Sequence, residues 1–238
     1  MSKLKVDILL PYKEKFNLKN SGAIANIVYE LVNESNYKNT FRIFGSEVDK
    51  PLLNKNFVSL NPKFSLFKGK NIGFALSYLD YLEKTKSKPN ILEIHNRSQV
   101  VFELLKKRND LNVVLYYHND PRTMKGSILK SDREWLLKNL KGIICVSDYI
   151  KNCFLDNLSI NSHLKDKVVV VRNGVKKLKI NTKKKNQILI VGRMIPEKGI
   201  LEACKALSNI LPEFPDWSLA LVGAKNFHNN TKKSDYEK

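Results

Sequence analysis

The sequence predicts an α/β protein whose larger part is a doubly wound parallel sheet. Two observations lead to this fold class. Short apolar runs alternate with amphipathic stretches at helical spacing, and hydrophobic residues make up 42% and charged residues 27% of the 238 residues. That balance is typical of a globular protein, and no apolar run reaches the length of a membrane-spanning helix.

Seven apolar runs are predicted as the strands of one sheet in the first domain, residues 1–175. They are Val6–Leu10, Thr40–Phe44, Phe57–Leu60, Ile91–Ile94, Val113–Tyr117, Gly142–Val146 and Val168–Val171. The helix after the first strand shows its buried face clearly, because apolar residues recur from Ile24 to Val32 at i, i+3, i+4, i+7 and i+8. Ser131 and Glu134 predict a capping box at a later helix, and Ser147 predicts an N-cap at the next one.

A second, smaller domain is predicted after a lysine-rich linker over residues 176–187. Residues 188–238 begin a new β-α-β unit, with strands at Ile188–Val191 and Leu219–Val222 around a helix from Glu197 to Leu211. The stretch from Lys225 to Lys238 is polar and is expected to fray. The residues after the linker are too few for a complete domain, so we expect an incomplete second Rossmann-like sheet, of low stability and with exposed apolar edges.

The chain is strongly basic, with 42 Lys+Arg against 23 Asp+Glu and a net charge of +19. Such a surface attracts polyanions. Most of the basic residues are lysine, whereas the side chain that binds nucleic-acid bases through a planar, bidentate group is usually arginine. No RRM, KH or helix-turn-helix pattern is present. We therefore expect no nucleic-acid partner, and the abundance of lysine and asparagine is also what an AT-rich genome produces.

The cysteines predict a reducing compartment. Cys145, Cys153 and Cys204 cannot all pair with one another and form no CxxC motif. The sequence from Met1 to Val6 has no signal-peptide h-region. A cytoplasmic location is expected.

Polar side chains follow several of the predicted strands, and in a parallel sheet ligands bind outside the carboxyl ends of the strands. Two of the four histidines lie there, which favours a functional role for His118 over ordinary packing and leaves both readings open for His95. The polar residues at these ends are Tyr12, Gly45, His95-Asn96-Arg97, His118-Asn119-Asp120, Ser147 and Asn173-Gly174.

Two further segments are suited to binding phosphate. Gly22 precedes the first helix, where small residues let a ligand oxygen approach the N–H groups of the helix N-terminus, although such residues are also simply good caps. In the segment from Gly192 to Gly199, Arg193 and Lys198 could clamp a diphosphate and neutralise its charge as it leaves. The alternative is that both are ordinary surface residues. Neither a GxGxxG fingerprint nor a P-loop is present.

At these residues the sequence resembles the GT-B glycosyltransferases, specifically the retaining family 4. The ordered set of matching segments runs from Val6 to Gly223. The matching pieces are Gly22, Ile144-Cys145-Val146-Ser147, Asn173-Gly174-Val175, Val191-Gly192-Arg193 through Lys198-Gly199, and Leu221-Val222-Gly223. Glu93–Arg97 and His118–Pro121 look like members that build lipopolysaccharide or other surface polysaccharides.

The resemblance implies a nucleotide-sugar donor, linked to UDP or GDP, bound between two Rossmann-like domains. Arg193 and Lys198 would hold its diphosphate with the backbone at Gly22 and Gly192, and no metal or other cofactor is expected. His118 would face the reacting sugar, donating or orienting a hydrogen bond. Further donor or acceptor contacts are expected at His95, Asn96, Asn119, Asp120, Ser147 and Asn173.

The resemblance also implies transfer with retention of configuration to a glycan or glycolipid acceptor. With the basic balance, it suggests a peripheral contact with anionic lipid at the inner face of the plasma membrane. One feature departs from the family pattern: no pair of donor-binding glutamates follows Gly223, because Glu237 stands almost alone there. The alternatives are therefore a partial chain of an enzyme, a non-catalytic glycan- or lipid-binding module, or an inactive fragment.

Overall fold

The structure is a computed structural model that describes residues 4–64, 69–177 and 183–223. The chain divides into two compact units, Met1–Lys176 and Lys177–Lys238. The predicted polar tail from Lys225 to Lys238 lies outside the described residues, as do residues 178–182 of the predicted linker.

The first unit is built on a seven-stranded sheet in which every strand pairing is parallel. Its order is β3-β2-β1-β4-β5-β6-β7, so the order reverses between β1 and β4. The strands are β1 Val6–Leu9, β2 Phe41–Ser46, β3 Phe57–Leu60, β4 Ile91–His95, β5 Val113–Tyr117, β6 Gly142–Cys145 and β7 Val168–Val170. The predicted fold class is confirmed, and all seven strands were predicted to within a few residues at their ends.

Helices connect these strands and cover both faces of the sheet. They are α1 Ala23–Asn33, α2 Lys70–Lys84, α3 Ser98–Lys107, α4 Lys130–Asn139, α5 Asp148–Leu155 and the short α6 Ser162–Lys165. One buried cluster lies between β1, β2 and α1 and includes Ile8 and Val28, and a larger one on the other side includes Tyr78, Leu115 and Phe154. All four residues of β1 and four of the five residues of β5 are buried, whereas β3 at the edge of the sheet has no buried residue. Helices on both faces bury the central strands, which explains their nearly continuous apolar runs.

Two helix starts test the capping predictions. The Ser147 hydroxyl accepts a hydrogen bond from the backbone N–H of Ile150 at 3.2 Å, so this predicted N-cap is confirmed. The predicted capping box of Ser131 and Glu134 is wrong, because α4 begins at Lys130 and its N-cap is Leu129, which has no side-chain acceptor. Ser131 already lies inside the first turn, and the Glu134 carboxylate lies 3.7 Å from the ammonium of Lys130 instead.

An ion pair with a buried carboxylate lies within the sheet. Asp7 on β1 is fully buried and accepts two hydrogen bonds from the Arg42 guanidinium, both at 2.7 Å. The Tyr78 hydroxyl of α2 donates a third at 2.7 Å. A buried carboxylate is tolerated only when it is paired and hydrogen-bonded in this way. The contact ties β1, β2 and α2 together.

The second unit contains a parallel pair of strands and one helix among the residues that are described there. These elements are β8 Gln187–Val191, α7 Ile200–Ile210 and β9 Ser218–Val222. The helix begins later than predicted, because a 3₁₀ turn at Pro196–Lys198 is followed by Gly199 in the left-handed region with φ +62°. Leu189, Val191 and Val222 are more than half exposed, so the apolar edges expected from the sequence are present in residues 183–223.

Candidate active site

The topology of the first unit brings the predicted histidines to the place where ligands bind in such sheets. The strand order reverses between β1 and β4, and a crevice forms outside the carboxyl ends of the strands at such a reversal. His95 is the last residue of β4, and His118 follows directly after the neighbouring strand β5.

A carboxylate and the two imidazoles form a continuous hydrogen-bonded chain there. The His95 Nε2 atom lies 2.7 Å from Glu93 Oε1, and the His95 Nδ1 atom lies 2.8 Å from His118 Nε2. Side chains alternate along a strand, so Glu93 and His95 share one face, and the register of His95 with Tyr116 places His118 on that face too. We call these three residues the Glu93–His95–His118 chain.

Tyr116 packs against both imidazoles. Its ring centroid lies 5.1 Å from that of His95 and 4.7 Å from that of His118, with interplanar angles of 11° and 5°. The Tyr116 hydroxyl donates to the carbonyl of Val171 at 3.1 Å, beyond the end of β7. Burial and the negative charge of Glu93 raise the pKa of Tyr116 to about 12, so the phenol stays a neutral donor.

The environment keeps His118 uncharged at neutral pH. Burial, and then the nearby His95, lower the pKa of His118 from 6.5 to about 3. The other ring nitrogen of His118, Nδ1, is closed to water and has no hydrogen-bond partner among the residues the structure describes. His95 is fully buried.

Asn96 holds the two segments after β4 and β5 together. Its side-chain oxygen accepts a hydrogen bond from the backbone N–H of His118, and its amide donates to Asn119 Oδ1, both at 2.8 Å. Its own N–H donates to the carbonyl of Tyr116 at 2.9 Å. Asn96 lies in the left-handed region with φ +50°, a conformation that asparagine tolerates better than most residues. The structure thus brings the predicted residues His95, Asn96, His118 and Asn119 together.

Three other predicted residues are placed differently. Asp120 caps a 3₁₀ turn through the N–H of Arg122 and forms a 2.8 Å ion pair with the guanidinium of the same residue. Ser147 uses its hydroxyl as the cap of α5. Asn173 is exposed beyond β7. Ligand contacts by these side chains stay predictions.

The N-terminus of α1, where Gly22 predicts a phosphate contact, holds a carboxylate of the protein itself. Glu14 Oε2 accepts a hydrogen bond from the N–H of Ala25 at 3.3 Å. A Cβ added at Gly22 would lie 2.4 Å from that oxygen, so the glycine leaves room for it. An anion therefore fits this terminus, and a ligand phosphate would have to displace Glu14.

Arg97 adds a positive charge at the same crevice. It is half-buried, and its guanidinium donates to the carbonyl of Asn96 at 2.7 Å. Burial lowers the pKa of Arg97, and the charge of Glu14 acts in the opposite direction. Sequence reasoning assigned roles to neither Glu14 nor Glu93. Glu93 could have been found, because it lies two residues before His95 and therefore on the same face of β4.

The predicted diphosphate-binding residues belong to the second unit and follow β8. Arg193 and Lys198 are exposed, and neither forms a hydrogen bond or ion pair through its side chain with any residue that the structure describes. Gly192 lies beside Gly223 at the ends of the paired strands. A Cβ at Gly223, whose φ is +154°, would lie 1.7 Å from the carbonyl oxygen of Gly192, so the close approach requires glycine.

Within the described residues, no group of three or more His, Cys, Asp or Glu side chains is arranged to hold a metal ion. No helix in this part of the chain is long and apolar enough to cross a membrane.

Comparison with known proteins decides the family. Residues 24–177, more than half of the chain, match the sequence model of Glycosyltransferase Family 4. The chain belongs to glycosyltransferase family 4. An uncharacterized glycosyltransferase of Methanocaldococcus jannaschii is 32% identical over 123 residues, which are 50% of this chain and 32% of that protein. The family 4 chain thus spans about a third of the length of this relative.

Solved structures show the same fold. The Anabaena protein HepE in complex with UDP-glucose matches with a TM-score of 0.63 at 12% identity, over 95% of this chain and 62% of that one. The catalytic domain of Arabidopsis thaliana starch synthase IV bound to ADP and acarbose matches with 0.60 at 12%, over 94% and 69%. The UDP-GlcNAc 2-epimerase of Neisseria meningitidis bound to UDP-GlcNAc matches with 0.52 at 18%, over 95% and 67%.

These structures confirm the GT-B fold of the family 4 chain. An epimerase shares that fold, so the fold alone does not separate transfer from epimerisation. The family match covers residues 24–177, which include the Glu93–His95–His118 chain but not Arg193 or Lys198.

Proposed function

We propose that this family 4 chain carries a large part of the active site of a retaining glycosyltransferase. The enzyme moves a sugar from a nucleotide-sugar donor to a lipopolysaccharide or other surface-glycan acceptor. The observation that carries the proposal is the Glu93–His95–His118 chain, which ends at the carboxyl edge of β5 with one ring nitrogen of His118 unpartnered in the described structure. A neutral imidazole at this edge suits contact with a polar but uncharged group such as a sugar.

The donor is held through its diphosphate in this proposal. Arg193 and Lys198 neutralise its charge, and they are available because both side chains are exposed and lack partners in the described structure. Cationic side chains thereby do the work that a metal ion does elsewhere. HepE and the epimerase support a nucleotide-sugar as the ligand class, since both share the fold and were solved with a UDP-sugar.

The reaction balances without a nucleophile from the protein. The bond between the anomeric carbon and the diphosphate oxygen breaks, and a bond to the acceptor hydroxyl forms on the same face of the sugar. The acceptor proton passes to the departing phosphate oxygen. Charge stabilisation of that leaving group lowers the barrier.

We place this reaction in the cytoplasm beside the membrane. The free thiols of Cys145, Cys153 and Cys204 suit a reducing compartment. The net charge of +19 suits an anionic lipid surface, where a glycolipid acceptor would lie.

Sugar transfer is the experiment that tests the proposal. The protein is incubated with radiolabelled UDP-glucose, UDP-GlcNAc or GDP-mannose and a lipid-linked glycan extract, and released nucleotide and labelled product are measured. We expect turnover with one of these donors, and we expect His118→Ala to lower it at least about a hundredfold while donor binding is kept. The matched control is His163→Ala, because His163 is exposed on α6.

Equal turnover by wild type and His118→Ala would remove His118 from the reaction. Donor or acceptor binding without any turnover would contradict the transferase and favour a binding module.

A further inference from the structure

The Glu93–His95–His118 chain has a direction that the distances alone do not state. Each hydrogen bond needs one donor and one acceptor, and a neutral imidazole has one of each. Glu93 ends the chain with a carboxylate, which accepts only. The proton on the 2.7 Å contact therefore belongs to His95 Nε2.

The remaining protons follow from that one. With Nε2 protonated, the Nδ1 atom of a neutral His95 carries a lone pair and accepts from His118 across 2.8 Å. His118 then carries its proton on Nε2, and its Nδ1 atom carries a bare lone pair.

The burial of His118 Nδ1 supports the same assignment independently. This atom is closed to water and has no partner among the described residues. A buried N–H without an acceptor is rarer in proteins than a buried acceptor without a donor. Reversing the direction of these hydrogen bonds would place an N–H without an acceptor at this position. The carboxylate of Glu93 and the burial of His118 Nδ1 therefore favour the same direction.

We propose that Glu93 and His95 are positioning residues that hold His118 in the Nε2–H tautomer, so that its Nδ1 atom accepts a hydrogen bond from a hydroxyl of the bound sugar. This step rests on the proposed function for the nature of the ligand. It also gives the contact of His118 a direction: the imidazole accepts rather than donates. The structure must open slightly around Nδ1 before a sugar hydroxyl can reach it, because this atom is closed to water.

The arrangement excludes some ligand groups from this position. A phosphate or carboxylate oxygen offers no proton to a lone pair and is repelled by it, whereas every sugar hydroxyl can donate. The diphosphate of a donor therefore binds elsewhere, and the sugar ring is the part that faces His118. Tyr116, which packs on both rings, keeps its own proton and cannot replace the missing donor, because its hydroxyl is engaged with Val171.

The tautomer can be read directly by nitrogen NMR on protein labelled with ¹⁵N-histidine. Long-range ¹H–¹⁵N spectra at pH 7.5 distinguish protonated from bare ring nitrogens, and His118→Gln and His163→Gln assign the signals. We expect a bare Nδ1 and a protonated Nε2 on His118 in the wild-type protein. A protonated Nδ1 would overturn the proposal, and this result does not depend on any enzymatic activity.

Glu93→Gln tests the cause of the tautomer. The glutamine amide can donate to His95 Nε2 as well as accept from it, so it no longer fixes one direction, and the His118 Nδ1 signal is expected to move part of the way towards the protonated form. Glu83→Gln is the control, since Glu83 is an exposed carboxylate on α2. An unchanged His118 spectrum in Glu93→Gln would overturn the role of Glu93.

Kinetics separate positioning from a merely structural role. Once a donor is turned over, Glu93→Gln is expected to lower kcat about tenfold or more, as wrong-tautomer variants of carboxylate–histidine pairs do, with KM for the donor changed less than about twofold. We expect Glu93→Gln and Glu93→Ala to lower kcat equally. Variants that lose stability but keep the wild-type kcat would contradict a positioning role for Glu93.

Titration with UDP-glucose and with UDP tests the hydroxyl contact. UDP-glucose is expected to shift the His118 Nδ1 signal, and UDP, which lacks the sugar, is not. Binding of UDP-glucose without that shift would overturn the contact. Failure of UDP-glucose, UDP-GlcNAc and GDP-mannose to bind would instead contradict the proposed function, while the tautomer of the unbound protein still decides the proposal about Glu93.

Discussion

His118 combines a partly buried ring with a position at the edge of the sheet, and its charge state follows from that combination. The folded protein holds the ring neutral, with a pKa of about 3, whereas the unfolded chain protonates it near the ordinary value of 6.5. The groups around it are His95, Glu93 and Tyr116. Because the unfolded state binds the extra proton, folding is disfavoured as the pH falls below 6.5.

This linkage gives a prediction for His118→Gln. Between pH 6.5 and about 3, the wild-type protein loses about 1.4 kcal/mol of unfolding free energy per pH unit through this group. The variant lacks the group, so the unfolding free energy of the wild type minus that of the variant is expected to fall as the pH falls from 7.5 to 5. Urea unfolding at three pH values measures it, with His163→Gln as the exposed control. A difference that stays constant over this range would show that His118 is not held neutral by the fold.

For individual residues, the sequence predicts which side chains lie close together but not which atom of each hydrogen bond carries the proton. His95 and His118 follow neighbouring strands, and the alternation of side chains places Glu93 on their face. The direction of the hydrogen bonds depends on distances that no residue pattern contains. The ion pair of buried Asp7 with Arg42 was missed for a similar reason, because a charged residue inside a strand gives no sign of its partner on the next strand.

The N-terminus of helix α1 can bind an anion through its backbone rather than through a side chain. Its N-terminus exposes backbone N–H groups and the positive end of the helix dipole, and Glu14 occupies that position with a hydrogen bond to Ala25. Glu14 and a ligand phosphate cannot occupy the same N–H group. If the prediction for Gly22 holds, Glu14 competes with the donor.

Removing that carboxylate is therefore expected to strengthen donor binding. Glu14→Gln should lower the dissociation constant for UDP by about two- to fivefold, the size of a charge effect at a helix end. Calorimetry measures it, and Glu34→Gln at the exposed C-terminal end of α1 is the control. Weaker binding by Glu14→Gln would mean that Glu14 assists the ligand instead of competing with it.

Element boundaries were harder to predict than elements. The start of α4 differs from the capping-box prediction because the buried Arg133 side chain binds the carbonyls of Ser127 and Ile128 just before the helix, at 3.0 and 2.8 Å. Its other donors bind carbonyls at the end of α5 and beyond it, at Phe154 and Asp156. Such a contact joins distant parts of the sequence, and local patterns do not contain it. Short-range signals were sufficient for the strands, since each is a compact apolar run.

The two units of the molecule differ in how much they bury. The first has two large buried clusters around its sheet, whereas Ile200 is the one buried hydrophobic residue among residues 183–223. Hydrophobic burial is the main favourable contribution to folding. We therefore expect the second unit to open more easily than the first.

Hydrogen exchange measures this difference directly. Amides of β4 and β5 are expected to show protection at least about a hundredfold greater than amides of β8 and β9, because local stability follows buried apolar contacts. The comparison is internal to one sample, so no variant is needed. Equal protection of the four strands would contradict the expectation.

At the scale of the whole molecule, the proposal requires the second unit to bind the donor through its cations. The most direct measurement is calorimetric titration of the protein with UDP, comparing wild type, Arg193→Ala and the control Lys205→Ala, which removes one exposed positive charge from α7. The account predicts that Arg193→Ala weakens binding at least about tenfold, the effect of losing a charged hydrogen bond, while Lys205→Ala stays close to wild type. Equal affinity of wild type and Arg193→Ala for UDP would contradict it.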